Sequence, residues 1–345
     1  MLHGTTAYIA NARLDIKALK IDNRIVPLVI NPGMGEYPTV CSPYLHYFTR
    51  AMQAFRQRHS KPLGTTAAVL GFPYGALLRY AAIERAVFLN NWLVSVSTAI
   101  TLSSAQVHAA TDALVREYPQ YAIVIRSVNP FFDPALQDSV VENGYHLVRS
   151  RRIYVIDCAA RQTLRRKNVR HDLALLRKSS YRVVDCHNAL QTQASRLSEL
   201  YCSLYMVKHS KLNPQFTPDF FRVTLKENIL IYRALERDGR IDGFVAFSVH
   251  QNRITAVAIG YDCGLPQKIG LYRMLIAILI AEAAERNTHL NLGGGVANFK
   301  MLRGAAAIEE YDAVYDGHLP ARRRLAWRAL AMQGRVASSK KLMSI

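Results

Sequence analysis

Cysteine, acidic residues and long apolar runs are all scarce in this sequence, and each shortage excludes a class of protein. The cysteines number only five, and they are scattered at Cys41, Cys158, Cys186, Cys202 and Cys263. No two have the CxxC spacing of a zinc site, and an odd number does not suggest a disulfide framework. We therefore expect no metal site, and reduced thiols in a cytoplasm are the simplest account.

Membrane-spanning segments are not expected either. The longest apolar run, from Met274 to Ala281, stops at Glu282 and is far too short to cross a bilayer. The first fifteen residues lack a basic segment followed by an apolar core, so we expect no signal peptide. Half of the residues are apolar and a fifth are charged, which is typical of a folded soluble protein. The sequence therefore predicts a cytoplasmic protein.

The shortage of acidic residues leaves a strongly basic chain. Lysine and arginine number 44 against 25 aspartates and glutamates, which gives a formal net charge of +19. Such an excess attracts nucleic acid, phosphorylated small molecules or an anionic membrane surface. A generally basic proteome or an effect on solubility is the alternative explanation.

Length and pattern predict two α/β domains in the 345 residues. Apolar strands alternate with helical stretches in both halves. In the second half, Asp238-Gly239 and Gln251-Asn252 predict two hairpins, and a buried helix is predicted from Gly270 to Arg286. We expect domains at residues 1–157 and 181–320, a basic linking helix at 158–180 and a basic tail at 321–345.

A triple glycine follows a short apolar strand near the end of the second predicted domain. Gly293, Gly294 and Gly295 come directly after Leu292, and Lys300 lies five residues beyond them. Glycine permits close approaches and backbone angles that a Cβ forbids, and it leaves peptide N–H groups exposed. We interpret the loop as a place where a substrate lies against the main chain beside an ammonium group. A flexible loop between strand and helix is the alternative.

Residues 149–182 form a basic segment in which only Asp157 and Asp172 oppose eleven arginines and lysines. A helix is predicted from Leu164 to Lys178, with one apolar stripe and basic residues on its other faces. A cationic helix of this kind suits a polyphosphate backbone, whereas a solvated linker helix is the alternative. The candidate phosphate or nucleic-acid contacts are Arg165, Arg166, Lys167 and Arg170.

The segment from Tyr232 to Asp316 resembles the C-terminal part of Fem-like proteins in the GNAT acyltransferase superfamily. The resemblance is carried, in order, by Asp242-Gly243-Phe244, Gly260-Tyr261-Asp262, Gly270-Leu271-Tyr272, Leu292-Gly293-Gly294-Gly295, Phe299-Lys300 and Arg303-Gly304-Ala305. The run from Lys167 to Asp172 is similar to the arginine-rich segment that precedes that domain. The resemblance implies two tandem GNAT-like domains and acyl transfer, often from aminoacyl-tRNA to an amine.

By analogy with that family, Lys300 would lie near the donor ester and stabilise developing negative charge. An aminoacyl ester is already activated, so a general base is optional, and His209 or Asp262 is the candidate. Structural roles for both, a loop histidine and a turn former, are the alternative. The remaining candidate substrate contacts, besides the glycines, are Phe299, Arg303, Tyr44, His46 and Asn213.

The acyl donor is the main point that the sequence leaves open. The resemblance places the pyrophosphate-binding motif of CoA-dependent enzymes at Gln267 to Tyr272, where Tyr272 replaces a small residue and crowds the helix N-terminus. We therefore expect aminoacyl-tRNA as the donor, an amine or hydroxyl of a small-molecule or peptide-like acceptor, and no cofactor. An acyl-CoA-dependent N-acyltransferase is the second hypothesis, and a non-catalytic RNA-binding protein is the third. No oligomeric state is predicted.

Overall fold

A computed structural model of the chain describes residues 4–33, 35, 37–58, 73–97, 100–159, 162–184 and 193–342. The chain divides into two compact units. Unit A consists of Met1–Ala12, Val94–Thr98 and Arg152–Ile308, and unit B consists of Arg13–Leu93, Ala99–Arg151 and Glu309–Ile345. The basic helix predicted at 158–180 lies in unit A, and the tail predicted at 321–345 lies in unit B.

Strands and helices alternate along much of the chain, which confirms the predicted α/β class. The strands are β1 (Asp15–Ile21), β2 (Arg24–Asn31), β3 (Ala86–Leu89), β4 (Ala122–Val128), β5 (His146–Asp157), β6 (Arg182–Val184), β7 (Ile231–Arg237), β8 (Arg240–His250), β9 (Arg253–Tyr261), β10 (His289–Asn291) and β11 (Ala306–Tyr315). The α-helices are α1 (Arg50–Arg58), α2 (73–80), α3 (Ser104–Glu117), α4 (Pro134–Glu142), α5 (Lys167–Lys178), α6 (Ala194–Cys202), α7 (Pro218–Lys226), α8 (Leu271–Glu285), α9 (Ala297–Met301) and α10 (Ala321–Leu342). None of the helices in the described part of the chain is both long enough and apolar enough to cross a membrane.

Unit B contains a mixed sheet in the order β1-β2-β3-β4-β11. The pairs β1–β2, β2–β3 and β4–β11 are antiparallel, whereas β3 and β4 run parallel. Helices α3 and α4 cover this sheet through buried side chains such as Val107, Leu114 and Val140.

In unit A the strands pair in the order β5-β10-β9-β8-β7-β6. Only β9 and β10 run parallel, because the long helix α8 connects them, whereas tight turns join β7, β8 and β9. The first turn has positive φ at Asp238 and Gly239, the backbone shape that matches the twist of paired strands. Both predicted hairpins are confirmed.

The core of unit A forms around α8, which is apolar on every side. Eleven of its fifteen residues are buried, as expected for a helix that has no polar face to present to water. Helix α5 packs against the same core through Val169, Leu173 and Leu176, so the predicted apolar stripe is confirmed. The helix begins at Lys167 rather than Leu164, after a 3-10 turn at Gln162–Arg165.

Candidate functional site

Strands β9 and β10 of unit A pair only where they begin. Residues 253–255 of β9 lie opposite residues 289–291 of β10, and β10 ends there while β9 continues to Tyr261. From Ala256 onward, β9 keeps β8 as its partner. Ligands of α/β proteins bind beyond the carboxyl ends of parallel strands, where neighbouring strands part. The loops that follow β9 and β10 therefore form the candidate site.

Lys300 holds the glycine loop that follows β10. Its side chain is 2% exposed, and its Nζ donates to the carbonyl oxygens of Leu292 at 2.7 Å, Gly293 at 3.1 Å and Gly294 at 2.6 Å. The ammonium also lies 5.5 Å from the ring centre of Tyr154. An ammonium group has three N–H donors, and three carbonyls accept them. Lys300 is therefore occupied by the loop itself.

This anchoring decides which way the peptide N–H groups of the loop point. The C=O and N–H of a trans peptide point in opposite directions, and the described residues contain no cis peptide. Because the carbonyls of Gly293 and Gly294 face Lys300, the N–H groups of Gly294 and Gly295 face away from it. Both residues are exposed, and within the described chain neither N–H has an acceptor. The loop thus presents two adjacent main-chain donors.

The end of the loop is conformationally strained. Val296 has φ of +42° and a side chain that is 53% exposed. A β-branched residue rarely adopts the left-handed region, and such outliers cluster at functional sites. Just before it, Gly295 has φ of +76° with no atom within 4 Å of where a Cβ would be. A Cβ at Gly295 would have room, so glycine is favoured there because of its positive φ.

The predicted substrate contacts Phe299 and Arg303 lie beside the loop but contact each other. The Arg303 guanidinium lies 3.3 Å from the ring centre of Phe299, whose other neighbour is Tyr272 at 4.9 Å between ring centres. Burial raises the pKa of the Tyr272 hydroxyl. The three side chains form one packed wall of the site, so Tyr272 fills the position where CoA-dependent enzymes have a small residue.

Asp172 ties the basic helix α5 to this wall. Asp172 is 1% exposed, and its carboxylate accepts hydrogen bonds from Arg303 Nε at 2.6 Å and Arg273 Nε at 2.7 Å. Two guanidiniums share one carboxylate, which leaves one positive charge in excess. A second link joins Asn168 Nδ2 of α5 to the carbonyl oxygen of Leu302 at 3.2 Å. The N-terminal part of α5 is thereby fixed next to the segment that follows the glycine loop.

The four predicted phosphate contacts lie on this part of α5 and on the residues just before it. Arg165, Arg166, Lys167 and Arg170 are all exposed. Among the residues that the structure describes, none of the four forms an ion pair with an acidic side chain. Arg166 lies against Gly304, where a Cβ would collide with its guanidinium. We call these four residues the basic surface.

Asp262 is held by structural ion pairs. Its Oδ2 accepts from Arg196 at 2.8 Å and Arg240 at 2.6 Å, and its Oδ1 accepts from the Gly264 N–H at 2.9 Å. Partial burial alone raises the pKa of Asp262, but these partners outweigh it, and the pKa lies below its ordinary value. A carboxylate held ionised by two arginines is a weak proton acceptor, so this geometry does not support a general base.

Two further candidates, Asn213 and His209, are close in sequence within unit A. Asn213 donates from Nδ2 to the carbonyl oxygens of Ser210 at 3.1 Å and Tyr205 at 3.4 Å, which closes the turn. This is a structural role. His209 is the last residue of a π-helical segment, Ser203–His209, and its side chain lies outside the described part of the structure.

Tyr44 and His46, two further candidate substrate contacts, belong to unit B. The Tyr44 N–H donates to Glu84 Oε1 at 2.8 Å, and Arg79 lies 4.5 Å from its ring centre. His46 Nε2 lies 2.9 Å from Ser150 Oγ. Burial lowers the pKa of His46 to about 4.

Sequence reasoning missed Asp172 and Asn291, although both carried a signal. Asp172 is the only acidic residue in α5, and a lone acid in a basic helix indicates a specific partner. Asn291 interrupts an apolar strand, and its Oδ1 accepts from the Gly293 N–H at 2.9 Å. The described ranges contain no group of three or more His, Cys, Asp or Glu side chains placed to hold a metal ion.

Comparison with known proteins agrees with the resemblance found in the sequence. A family model described as "Acetyltransferase (GNAT) domain" matches residues 163–301. This range contains α5, the diverging strands, the glycine loop and Lys300. No curated protein matches the chain.

Solved structures with a similar fold include FemX, with a TM-score of 0.52 at 9% identity over 88% of each chain. The C-terminal domain of a putative lysylphosphatidylglycerol synthetase from Agrobacterium fabrum has a TM-score of 0.49 at 16% identity, over 65% of this chain and 75% of that one. L-PGS from Bacillus licheniformis has a TM-score of 0.47 at 14% identity, over 66% and 78%. Residues 163–301 therefore match the GNAT acetyltransferase domain model, and the α/β fold of the chain is similar to that of FemX.

Proposed function

We propose that the protein transfers an aminoacyl group from aminoacyl-tRNA to the amine of a small-molecule or peptide-like acceptor. The observation that carries the proposal is the pair of outward-facing N–H donors at Gly294 and Gly295 beside the basic surface. Main-chain donors suit the oxygen of a reacting carbonyl, and exposed cations that have no acidic partner in the described part of the chain suit the phosphates of the donor.

The reaction needs little more than positioning. The acceptor nitrogen attacks the ester carbonyl carbon, and negative charge develops on the carbonyl oxygen. When the tetrahedral intermediate collapses, the bond to the tRNA ribose oxygen breaks, and that oxygen takes up the proton released by the amine. Each fixed donor to the oxyanion lowers such a barrier by about 3 kcal/mol. Because the ester is activated, holding the amine close provides much of the remaining rate.

In this mechanism Lys300 is a positioning residue. Its ammonium holds the carbonyls of Gly293 and Gly294, so the N–H groups that follow them are directed at the substrate without rearrangement. Its positive charge also lies one peptide away from the developing oxyanion. This differs from the direct contact with the donor that the family analogy implies, since the three ammonium protons are used within the loop.

The turn before α8 favours tRNA over acyl-CoA as the donor. Gly270 has φ of +78°, and a Cβ there would lie 2.7 Å from Leu175 Cδ2 of α5. Tyr272 packs against Phe299 two residues later. Side chains thus cover the main chain where a pyrophosphate would bind at the start of α8, while the basic surface stays open. An acyl-CoA-dependent N-acyltransferase is the second candidate on the same fold.

The experiment compares the two donors directly. The purified protein is incubated with total tRNA charged with ¹⁴C-labelled amino acids, or with ¹⁴C-acetyl-CoA, in the presence of glycinamide, ethanolamine and putrescine. We expect labelled amide from charged tRNA and none from acetyl-CoA. Product from acetyl-CoA, together with micromolar CoA binding in isothermal titration, would favour the second candidate. Salt-sensitive tRNA binding without product from either donor would indicate a protein that binds RNA and has lost the chemistry.

The triple variant Arg165→Ala/Lys167→Ala/Arg170→Ala removes three charges from the basic surface and leaves Arg166, which packs on Gly304, in place. We expect transfer at limiting tRNA to fall at least about tenfold, which corresponds to 1.4 kcal/mol of lost donor binding. The matched control replaces three exposed cations of unit B, Arg13, Lys20 and Arg116, with alanine. Equal losses in the two variants would mean that net charge matters and the basic surface does not.

A further inference from the structure

Helix α2 of unit B has an exposed apolar face that the acyl-transfer chemistry does not use. Its inner side contains Leu78, which is fully buried. The exposed apolar residues are Pro73, Ala76, Leu77 and Tyr80. Leu77 is 51% exposed and Tyr80 is 67% exposed. Residues spaced by three or four share one face of a helix, so these four side chains form a single apolar stripe.

Helix α10 is apolar on two opposite faces. One face contains Ala326, Trp327 and Leu330, each at most 5% exposed. About 180° around the helix, at 100° per residue, Leu325 is 64% exposed and Met332 is 60% exposed. A helix that packs on one side needs one apolar stripe. The second apolar face therefore has no use in the packing of unit B.

A buried arginine fixes the two helices side by side. Arg323 of α10 is 4% exposed, and its guanidinium donates to the carbonyl oxygens of Ala81 and Ala82, both at 3.1 Å. These two residues directly follow α2. The neighbouring Arg322 lies 5.3 Å from the ring centre of Tyr80, so the exposed faces of α2 and α10 meet at this pair.

The charge on these two helices has one sign. Arg322 and Arg328 are exposed on α10, and neither helix contains an aspartate or a glutamate. The acidic residues closest in sequence point elsewhere, since Glu84 accepts a hydrogen bond from Ser42 Oγ at 2.6 Å and Asp316 is 1% exposed. We use the name apolar-basic face for Leu77, Tyr80, Arg322, Leu325, Arg328 and Met332.

We propose that the apolar-basic face binds the surface of a lipid bilayer that carries anionic headgroups. The aliphatic side chains would enter the boundary between headgroups and acyl chains, and Tyr80 would lie at headgroup level. The two arginines would pair with lipid phosphates. The binding is peripheral, involves only unit B and is independent of the acyl transfer proposed for unit A.

Two other occupants fit the apolar-basic face less well. RNA would pair with Arg322 and Arg328 but would leave the aliphatic side chains in water. A second copy of the chain, docked through the same face, would bring the arginines of the two copies together without an acidic partner from α2 or α10. A bilayer with anionic headgroups accepts both the apolar and the cationic groups.

Vesicle flotation tests the apolar part of the face. The full chain is mixed with vesicles of phosphatidylcholine alone, or of phosphatidylcholine and phosphatidylserine in equal amounts. We expect binding to the second kind only, and at least about tenfold weaker binding by Leu77→Ser/Leu325→Ser. The matched control is Ile25→Ser/Val141→Ser, at positions of unit B that are 71% and 51% exposed, and it should bind like the wild type.

The charged part of the face is tested in the same assay. Arg322→Ala/Arg328→Ala should weaken binding at least about tenfold, whereas Lys20→Ala/Arg116→Ala, at exposed positions of unit B, should weaken it far less. The triple variant of the basic surface should bind vesicles nearly as the wild type does, which separates this site from the one proposed for tRNA. Circular dichroism verifies the fold of each variant.

A fluorescent reporter locates the contact. Trp92 and Trp327 are the only tryptophans, so Tyr80→Trp in a Trp92→Phe background adds one exposed indole to the buried one. Vesicles with brominated acyl chains should quench this emission, and should not quench that of Ile25→Trp in the same background. Equal quenching of the two reporters would overturn the proposal.

Three flotation or association results would also overturn it. These are equal binding to both kinds of vesicle, unchanged binding in both substituted pairs of the face, and loss of binding in the triple variant of the basic surface as large as in Arg322→Ala/Arg328→Ala. A dimer in sedimentation that Leu77→Ser/Leu325→Ser abolishes, without vesicle binding by the wild type, would mean that a second copy covers the face.

Discussion

Lys300 contributes to the site through the carbonyl groups that it holds in place. Lys300→Met keeps the length and apolar stem of the side chain and removes the ammonium, so the carbonyls of Leu292 and Gly294 lose this donor and that of Gly293 keeps only the N–H of Tyr154. Hydrogen bonds to a charged group contribute about 1.5–3 kcal/mol each, less than additively. We expect the free energy of unfolding to fall by about 2–4 kcal/mol and transfer from charged tRNA to fall at least about tenfold.

Urea unfolding and the transfer assay measure the two effects of Lys300→Met. Lys20→Met is the control, because Lys20 is exposed in unit B and belongs neither to the glycine loop nor to the basic surface. Turnover of Lys300→Met equal to that of the wild type, at a temperature where the variant is folded, would remove the loop from the mechanism.

His46 makes the stability of the protein depend on pH. Burial lowers its pKa to about 4 in the folded chain, from an ordinary value of 6.5. Above about pH 6.5 the ring is neutral in both states, and its contribution is complete. As the pH falls from 6.5 to 4, the unfolded chain takes up a proton that the folded chain does not, so stability is lost. The loss approaches about 2–3 kcal/mol for this half-buried ring.

His46→Gln removes this titration and keeps a polar side chain. We expect its free energy of unfolding to fall less steeply than that of the wild type between pH 6.5 and pH 4, as measured by urea denaturation at each pH. His108→Gln is the control, since His108 is exposed on α3. If the free energy of unfolding of His46→Gln fell with pH as steeply as that of the wild type, the fold would not be keeping the His46 imidazole neutral.

At the scale of elements, the turn into α8 is constrained by backbone shape and by contact with α5. Gly270 and Gly239 have nearly equal φ, +78° and +75°, but a Cβ at Gly239 would meet no atom within 4 Å. Gly239→Ala therefore measures the left-handed backbone alone, about 1 kcal/mol. Gly270→Ala adds a close contact with Leu175 Cδ2, the end of a half-buried side chain that must change rotamer, and we expect it to lower the free energy of unfolding by about 0.5–1.5 kcal/mol more.

The pair is compared by thermal or urea unfolding under identical conditions. Adding Leu175→Ala to Gly270→Ala removes the collision, so Gly270→Ala should cost less in that background than in the wild type. If Gly270→Ala and Gly239→Ala lowered the free energy of unfolding equally, Leu175 of α5 would not restrict this turn. The turn would then be open to the pyrophosphate of CoA.

Elements whose form depends on nearby residues could be predicted from the sequence. The two hairpins follow from their turn residues, α8 from its continuous apolar composition, and the stripe of α5 from the spacing of Val169, Leu173 and Leu176. The exposed glycine loop beside Lys300 was likewise predicted from the glycines.

Features that depend on long-range contacts could not be predicted. The hydrogen bonds from Lys300 to three carbonyls depend on the path of the loop in space. The two arginines that pair with Asp172 lie 101 and 131 residues beyond it in the chain. The sequence shows Asp172 as a lone acidic residue and Lys300 as a lone lysine in their segments. It does not show which groups these two side chains contact. For the same reason the sequence does not show that Asp262 pairs with Arg196 and Arg240, or that Asn213 closes a turn.

At the scale of the whole molecule, the net charge of +19 attracts any polyanion, and the basic surface gives that attraction a location. The charge alone would bring RNA to many places on the protein. The proposed binding of tRNA therefore depends on cations that have no acidic partner among the described residues and are fixed beside the glycine loop through Asn168 and Asp172. Counterion release makes such binding fall with salt in proportion to the number of phosphates contacted.

The rate of single-turnover transfer from ¹⁴C-aminoacyl-tRNA, measured against salt concentration, tests the account most directly. For the wild type we predict transfer whose logarithm falls linearly with the logarithm of salt concentration. In Arg165→Ala/Lys167→Ala/Arg170→Ala the rate should be lower and the slope shallower by about two to three, and the unit B control variant should behave like the wild type. Absence of transfer at every salt concentration, or the same slope in all three proteins, would contradict the account.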